Sequence, residues 1–235
     1  MGYLAFFAAA SASAIVRVKL AETLPSRGRV EPRKLAGAYA DAVGVFFKLS
    51  PAVRWIIVLR MFLILCGLSM FYNFAIIYAT RVIGLSFTQW GLAYAISSVA
   101  YVGMLLMRGV ARRPAMYPLC ILMEAASPLL LLLGTFESVA AALVLMSLGG
   151  GLAYSAERGI VASVTEPEMR GRAEALVGLS FGVGGALGAW LGGMAYAISP
   201  ELIIYAPFCL MLAGSVGASF AVRALRGAGE SQGRP

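Results

Sequence analysis

Histidine is absent from the 235 residues, and acidic side chains are scarce, 11 against 19 Lys and Arg. The first absence removes imidazole ligands and every His-based acid–base or nucleophilic pairing. The three cysteines, Cys66, Cys120 and Cys209, stand singly in separate apolar segments. Neither a disulfide framework nor a zinc site is expected, and they read as small buried hydrophobes. No Walker loop is present, and Gly182-Val183-Gly184-Gly185 lies inside an apolar run rather than after a short strand. No cofactor, no metal and no enzymatic chemistry are therefore expected. Charge is sparse throughout, at 13% of residues, and from Ala175 to Val222 the only charged side chain is Glu201.

What fills the chain is apolar: 60% of the residues, with a mean hydropathy of +0.85. About 20 apolar residues rising 1.5 Å each cross the roughly 30 Å hydrocarbon layer. Apolar runs of that order lie near 53–80, 88–107, 114–134, 138–164, 173–198 and 202–222, with a shorter one at 1–16. The expected fold is an all-α polytopic membrane helix bundle, with six full transmembrane helices plus a short N-terminal one. The domain reading is a partial helix at 1–16, a linker at 17–52, a six-helix domain at 53–224 and a tail at 225–235. Gly178, Gly182, Gly185, Gly188 and Gly192 form a ladder of three- and four-residue steps. Small residues so spaced let another helix backbone approach closely, so a packing face is expected there.

Sixteen of the 19 Lys and Arg fall in the first, third, fifth and last of the stretches between runs. The opposite side holds only Arg81, while Arg60 and Arg158 lie within expected helices. This is the asymmetry of the positive-inside rule, and it predicts a multi-pass cell-membrane protein with a cytoplasmic C-terminus. The basic surplus then faces lipid headgroups, and no nucleic-acid partner is expected. Residues 1–16 lack the cationic n-region of a signal peptide and are short for a span, as if the chain began partway along a helix. The linker carries Leu35, Tyr39, Val43, Phe46 and Phe47 as a helical apolar stripe between cations, which suits an interfacial helix or a solvated connection.

Two motifs fall on this topology in order. Pro167-Glu168-Met169-Arg170-Gly171-Arg172-Ala173 precedes the glycine ladder, and Gly103-Met104-Leu105-Leu106-Met107-Arg108 is followed by Arg112-Arg113. The chain resembles the second half of a major facilitator superfamily transporter: the end of helix six, the central loop and helices seven to twelve. The first motif is similar to the family's Pro-x-x-Arg-Gly-x-Ala between helices ten and eleven. The second resembles its Gly-x-Leu-Ala-Asp-Arg-x-Gly-Arg-Arg loop, with Met107 where an aspartate is usual.

Charged groups at membrane depth are costly, so each is a candidate site. Glu124 reads as a protonated acid, a partner for Arg158 on the neighbouring helix, or a proton-coupling group. Glu157 and Arg158 either snorkel to the interface or act in a latch, with Glu157 pairing to Arg112 or Arg113. Arg60 either snorkels or attracts an anionic substrate. Tyr72, Asn73, Tyr78, Ser97 and Ser98 are substrate-path candidates, because the resemblance places Tyr72, Asn73 and Tyr78 on a cavity-lining helix. It implies a secondary transporter of a small solute or ion, working by alternating access within membrane lipid. One half supplies one wall, so a missing N-terminal six-helix half or a second copy is the expected partner. The alternative is a non-transporting scaffold or regulatory subunit assembling through the glycine face.

Overall fold

The computed structural model describes residues 44, 46–105, 114–166 and 169–232, all within one compact unit, Ala40–Pro235. Residues 1–16 and most of the linker, with Leu35, Tyr39 and Val43 of its stripe, lie outside the described residues. Among the described residues six long helices follow one another: α1 (Pro51–Arg81), α2 (Phe87–Leu105), α3 (Met116–Leu133), α4 (Phe136–Val164), α5 (Arg170–Ile198) and α6 (Leu202–Gln232). No strand occurs among the described residues. All but α2 are long and apolar enough to cross a membrane. In α2, 19 residues long, Thr88, Gln89, Ser97 and Ser98 and two tyrosines interrupt the apolar run. The chain is an all-α membrane helix bundle.

Local chemistry sets the helix ends. Ser50 precedes Pro51, whose missing N–H costs nothing in the first turn. Within α1 the ladder widens to a π turn at Arg60–Ile64, where Leu65 N–H bonds the Arg60 carbonyl. Pro128 lies where α3 tightens into a 3₁₀ segment, Ser127–Leu133. Gly134 then closes α3 at φ 67°, a left-handed conformation that strains any residue with a Cβ. Thr135 and Ser138 exchange side-chain bonds to each other's backbone N–H at 3.2 Å, capping α4. The last helix runs on to Gln232, so the residues read as a tail from 225 begin as a continuation of α6.

The packing repeats itself. Helix α1 packs on α5 and α6, α4 packs on α2 and α3, and α3 packs on α6. Exchanging the first three helices for the last three maps this pattern onto itself, as in an inverted repeat. Between α4 and α5, and between α1 and α2, backbone contact is slight. A cleft opens along that seam.

The glycine ladder divides between two faces of α5, and Gly184, outside the expected ladder, joins Gly188 and Gly192 on one of them. A Cβ on Gly184 would overlap the Met61 carbonyl, one on Gly188 the Cys66 carbonyl, and one on Gly192 would come within 2.8 Å of the Phe74 ring. These three glycines seat α5 against α1, and Ser69 Oγ donates to the Gly185 carbonyl at 2.7 Å across the joint. Gly178, Gly182 and Gly185 have open space where a Cβ would be. The expected single face is thus corrected. Mixed steps of three and four drift around the helix, and at 100° per residue the two groups lie roughly a quarter-turn apart.

Candidate functional site: a charged cleft between the helices

Nine residues into α1, about 13 Å from its start, Arg60 is buried at 4% exposure. Its Nε lies 2.9 Å from Glu157 Oε2 of α4, whose side chain is fully buried. The guanidinium does not snorkel: its carbon sits 4.8 Å from the Phe181 ring centre and 6.0 Å from that of Tyr154. Arg158 covers Tyr154 as well, 4.7 Å from the ring centre, and forms an ion pair with Glu174 of α5. Charge and ring therefore alternate from Glu157 through Arg60, Tyr154 and Arg158 to Glu174.

Both ion pairs differ from those expected. Arg158 meets Glu174 rather than Glu124, and Glu157 meets Arg60, which was not an expected partner. Arg108, Arg112, Arg113 and Pro167 lie outside the described residues. The pairs join helices that barely touch otherwise, α4 to α1 and α4 to α5. Two charges 4 Å apart attract by about 4 kcal/mol at an effective dielectric near 20. Desolvation consumes most of that, so the buried pair fixes geometry more than it adds stability.

Glu124 stands apart. It is 2% exposed on α3, and among the described residues its Oε2 has no hydrogen-bond partner. The facing surface of α4 is the pair Gly149-Gly150, while Gly151 turns toward Met104 and Tyr101 of α2. A Cβ on Gly150 would lie 2.6 Å from Glu124 Oε1, and one on Gly149 would lie 2.8 Å from the Cys120 carbonyl. The two glycines make room for a carboxylate between helices.

These groups line a cleft of about 580 Å³. Arg60 and Tyr72 come from α1, Tyr101 from α2 and Glu124 from α3. Ser147, Gly150, Tyr154 and Arg158 come from α4, and Gly178 and Phe181 from α5. The other substrate-path candidates are not among the lining. Asn73 donates its amide to the Ser69 carbonyl and hydroxyl at 2.7 and 2.9 Å. Tyr78 is buried in the core beside Phe71 and Leu143. Ser97 and Ser98 return their hydroxyls to the Tyr94 carbonyl. Short polar side chains in helices readily bond their own backbone, which is the reason they fail to reach the cleft. Gly103 is exposed on α2. Arg170 Nε donates to the Thr165 carbonyl at 3.3 Å, steadying the α4–α5 turn, and Gly171 sits in the open first turn of α5.

The residues missed in the sequence are Tyr154, Phe181, Tyr101, Ser147, Gly150 and Glu174. One signal was available: Tyr154, Glu157 and Arg158 are spaced three and four apart, on one helix face. Glu174 is the only acid in the first two turns of α5. No cluster of residues that could hold a metal occurs among the described residues. A family model described as Major Facilitator Superfamily matches residues 87–234, which take in α2 to α6. No curated protein and no solved structure matches the chain.

Proposed function

The chain belongs to the major facilitator superfamily of membrane transporters, and we propose that it moves a small solute through the charged cleft by alternating access. The observation that carries this reading is the cleft itself: about 580 Å³, with Arg60, Glu124 and Arg158 at membrane depth among aromatic rings. A mostly apolar recess with a few convergent polar groups is the usual form of a small-molecule site. Since no nucleotide motif is present, a solute or ion gradient supplies the energy.

The cleft is one wall of the path, and a second six-helix unit completes it. That unit is an N-terminal six-helix half, in a longer chain or on its own, or a second copy of this chain. The exposure of Tyr72, Asn73, Tyr94 and Ser98 on α1 and α2 supports a covering partner, because polar groups facing lipid are costly. Basic-end connections facing the cytoplasm follow from the distribution of Lys and Arg. The scaffold alternative relies on a free glycine face, which Gly178, Gly182 and Gly185 leave open while Gly188 and Gly192 are filled by α1.

The test is uptake of a solute panel into vesicles holding the purified chain, alone and with the protein of any adjacent six-span reading frame. Gradient-driven uptake abolished by Arg60→Ala is expected. Failure to move any solute in either preparation would defeat the reading.

A further inference from the structure

We infer that the cleft is selective for a monovalent organic cation with an aromatic or amphiphilic body, held at Glu124. The inference rests on the transporter reading and names its substrate class. Three charged side chains line the recess, the guanidiniums of Arg60 and Arg158 and the carboxylate of Glu124. Each guanidinium already has a carboxylate, Arg60 with Glu157 and Arg158 with Glu174. Glu124 is the charge left over. It is 2% exposed and lies on the cleft wall; oxygens of all three carboxylates lack a hydrogen-bond partner among the described residues, but Glu157 and Glu174 each lie against an arginine and Glu124 has no ion pair there.

A buried carboxylate with an idle oxygen is expensive at membrane depth unless a counter-charge or a proton arrives. Gly150 keeps the space that the carboxylate occupies, since a Cβ there would lie 2.6 Å from Oε1. The remaining walls suit a cation too. Tyr154 and Phe181 already hold guanidiniums against their rings, while Tyr72 and Tyr101, 37 and 42% exposed, line the recess with no cation over them among the described residues. Aromatic faces attract cations through their quadrupole, most strongly when water is excluded. An anion would meet arginines whose charge a carboxylate already neutralises, and would face Glu124 as well. The arginines therefore act as structural cross-links between α4 and its neighbours, leaving the carboxylate as the recognition group.

Tetraphenylphosphonium and tetraphenylborate share a shape and differ in the sign of their charge. Equilibrium dialysis of the detergent-purified chain against each, with unlabelled competitor to remove micelle partitioning, separates charge selection from hydrophobicity. Saturable binding is expected for the phosphonium and only partitioning for the borate. Glu124→Gln should weaken phosphonium binding by at least about tenfold, because it removes the charge and keeps the shape. Gly150→Ala, which crowds the same carboxylate, should weaken it as well, while Glu137→Gln at the far end of α4 should not. Saturable binding of the borate, absence of saturable phosphonium binding, or equal phosphonium affinity in Glu124→Gln would each overturn the inference. The two probes are compared on the unaltered chain, so a variant that fails to fold leaves the test intact. Uptake of some other solute would keep the transporter reading while this inference fell, and cation binding without any uptake would do the reverse.

Discussion

Replacing Gly188 by alanine adds one methyl group where α5 lies against α1. The new Cβ would overlap the Cys66 carbonyl oxygen and approach the carbonyl carbon and Ser69 Cβ to 2.9 Å, against 3.4 Å or more for an ordinary contact. These are largely backbone atoms, so the helices must separate by at least about half an ångström, at a cost of about 1–3 kcal/mol for overpacking. Separation also stretches the Ser69–Gly185 hydrogen bond, worth about 0.6 kcal/mol between membrane helices. Alanine's better helix propensity returns about 0.5–1 kcal/mol. Gly182→Ala, on the open face, keeps that gain and meets nothing within 4 Å. The two variants should therefore differ by roughly 2–3 kcal/mol, Gly188→Ala below the parent and Gly182→Ala at or above it. Reversible unfolding in mixed dodecyl maltoside–SDS micelles, followed by circular dichroism, reads the difference. Equal stabilities would refute the assignment of Gly188 to the packing face.

Three further outcomes are expected. Glu157→Gln should destabilise the chain by about 3–5 kcal/mol because it strands Arg60, whereas the double variant Arg60→Met/Glu157→Met should recover most of the loss in the same assay. Gly134→Ala should cost about 1–2 kcal/mol through its left-handed backbone, and Gly103→Ala, in open helical backbone, should be neutral or better. In a background with Cys66, Cys120 and Cys209 replaced, cysteines introduced at Arg81 and Glu137 should react with an impermeant maleimide outside intact cells. One at Ser231 should react only after permeabilisation, and the opposite labelling would reverse the orientation.

Helix positions were readable because uninterrupted apolar length is a one-dimensional signal. The runs at 138–164 and 202–222 fall inside α4 and α6, and only the ends shifted, toward caps such as Thr135 and toward the continuation of α6. Partnerships were not readable. Arg60 and Glu157 are far apart in the chain and sit on helices with little mutual packing, so spacing cannot select them over Arg158 and Glu124. The glycine face was half readable: a ladder shows that close approach occurs, but drift in its steps hides which members are used. Asn73, Ser97 and Ser98 misled because a polar side chain in a helix can satisfy itself locally.

The π turn at Arg60–Ile64 makes α1 two helices of different phase joined end to end. An inserted residue rotates everything before it by about 100° relative to everything after it. Arg60 is thereby turned toward α4 while the Met61 carbonyl, one residue on, seats against α5. No single stripe of the sequence from Pro51 to Arg81 describes both faces. Loss of one residue from this turn would shorten the span by only about 1.5 Å, which a bilayer tolerates, yet it would swing the arginine off its carboxylate. One residue in this turn thus sets the phase that aims the cation while barely altering the length that crosses the membrane.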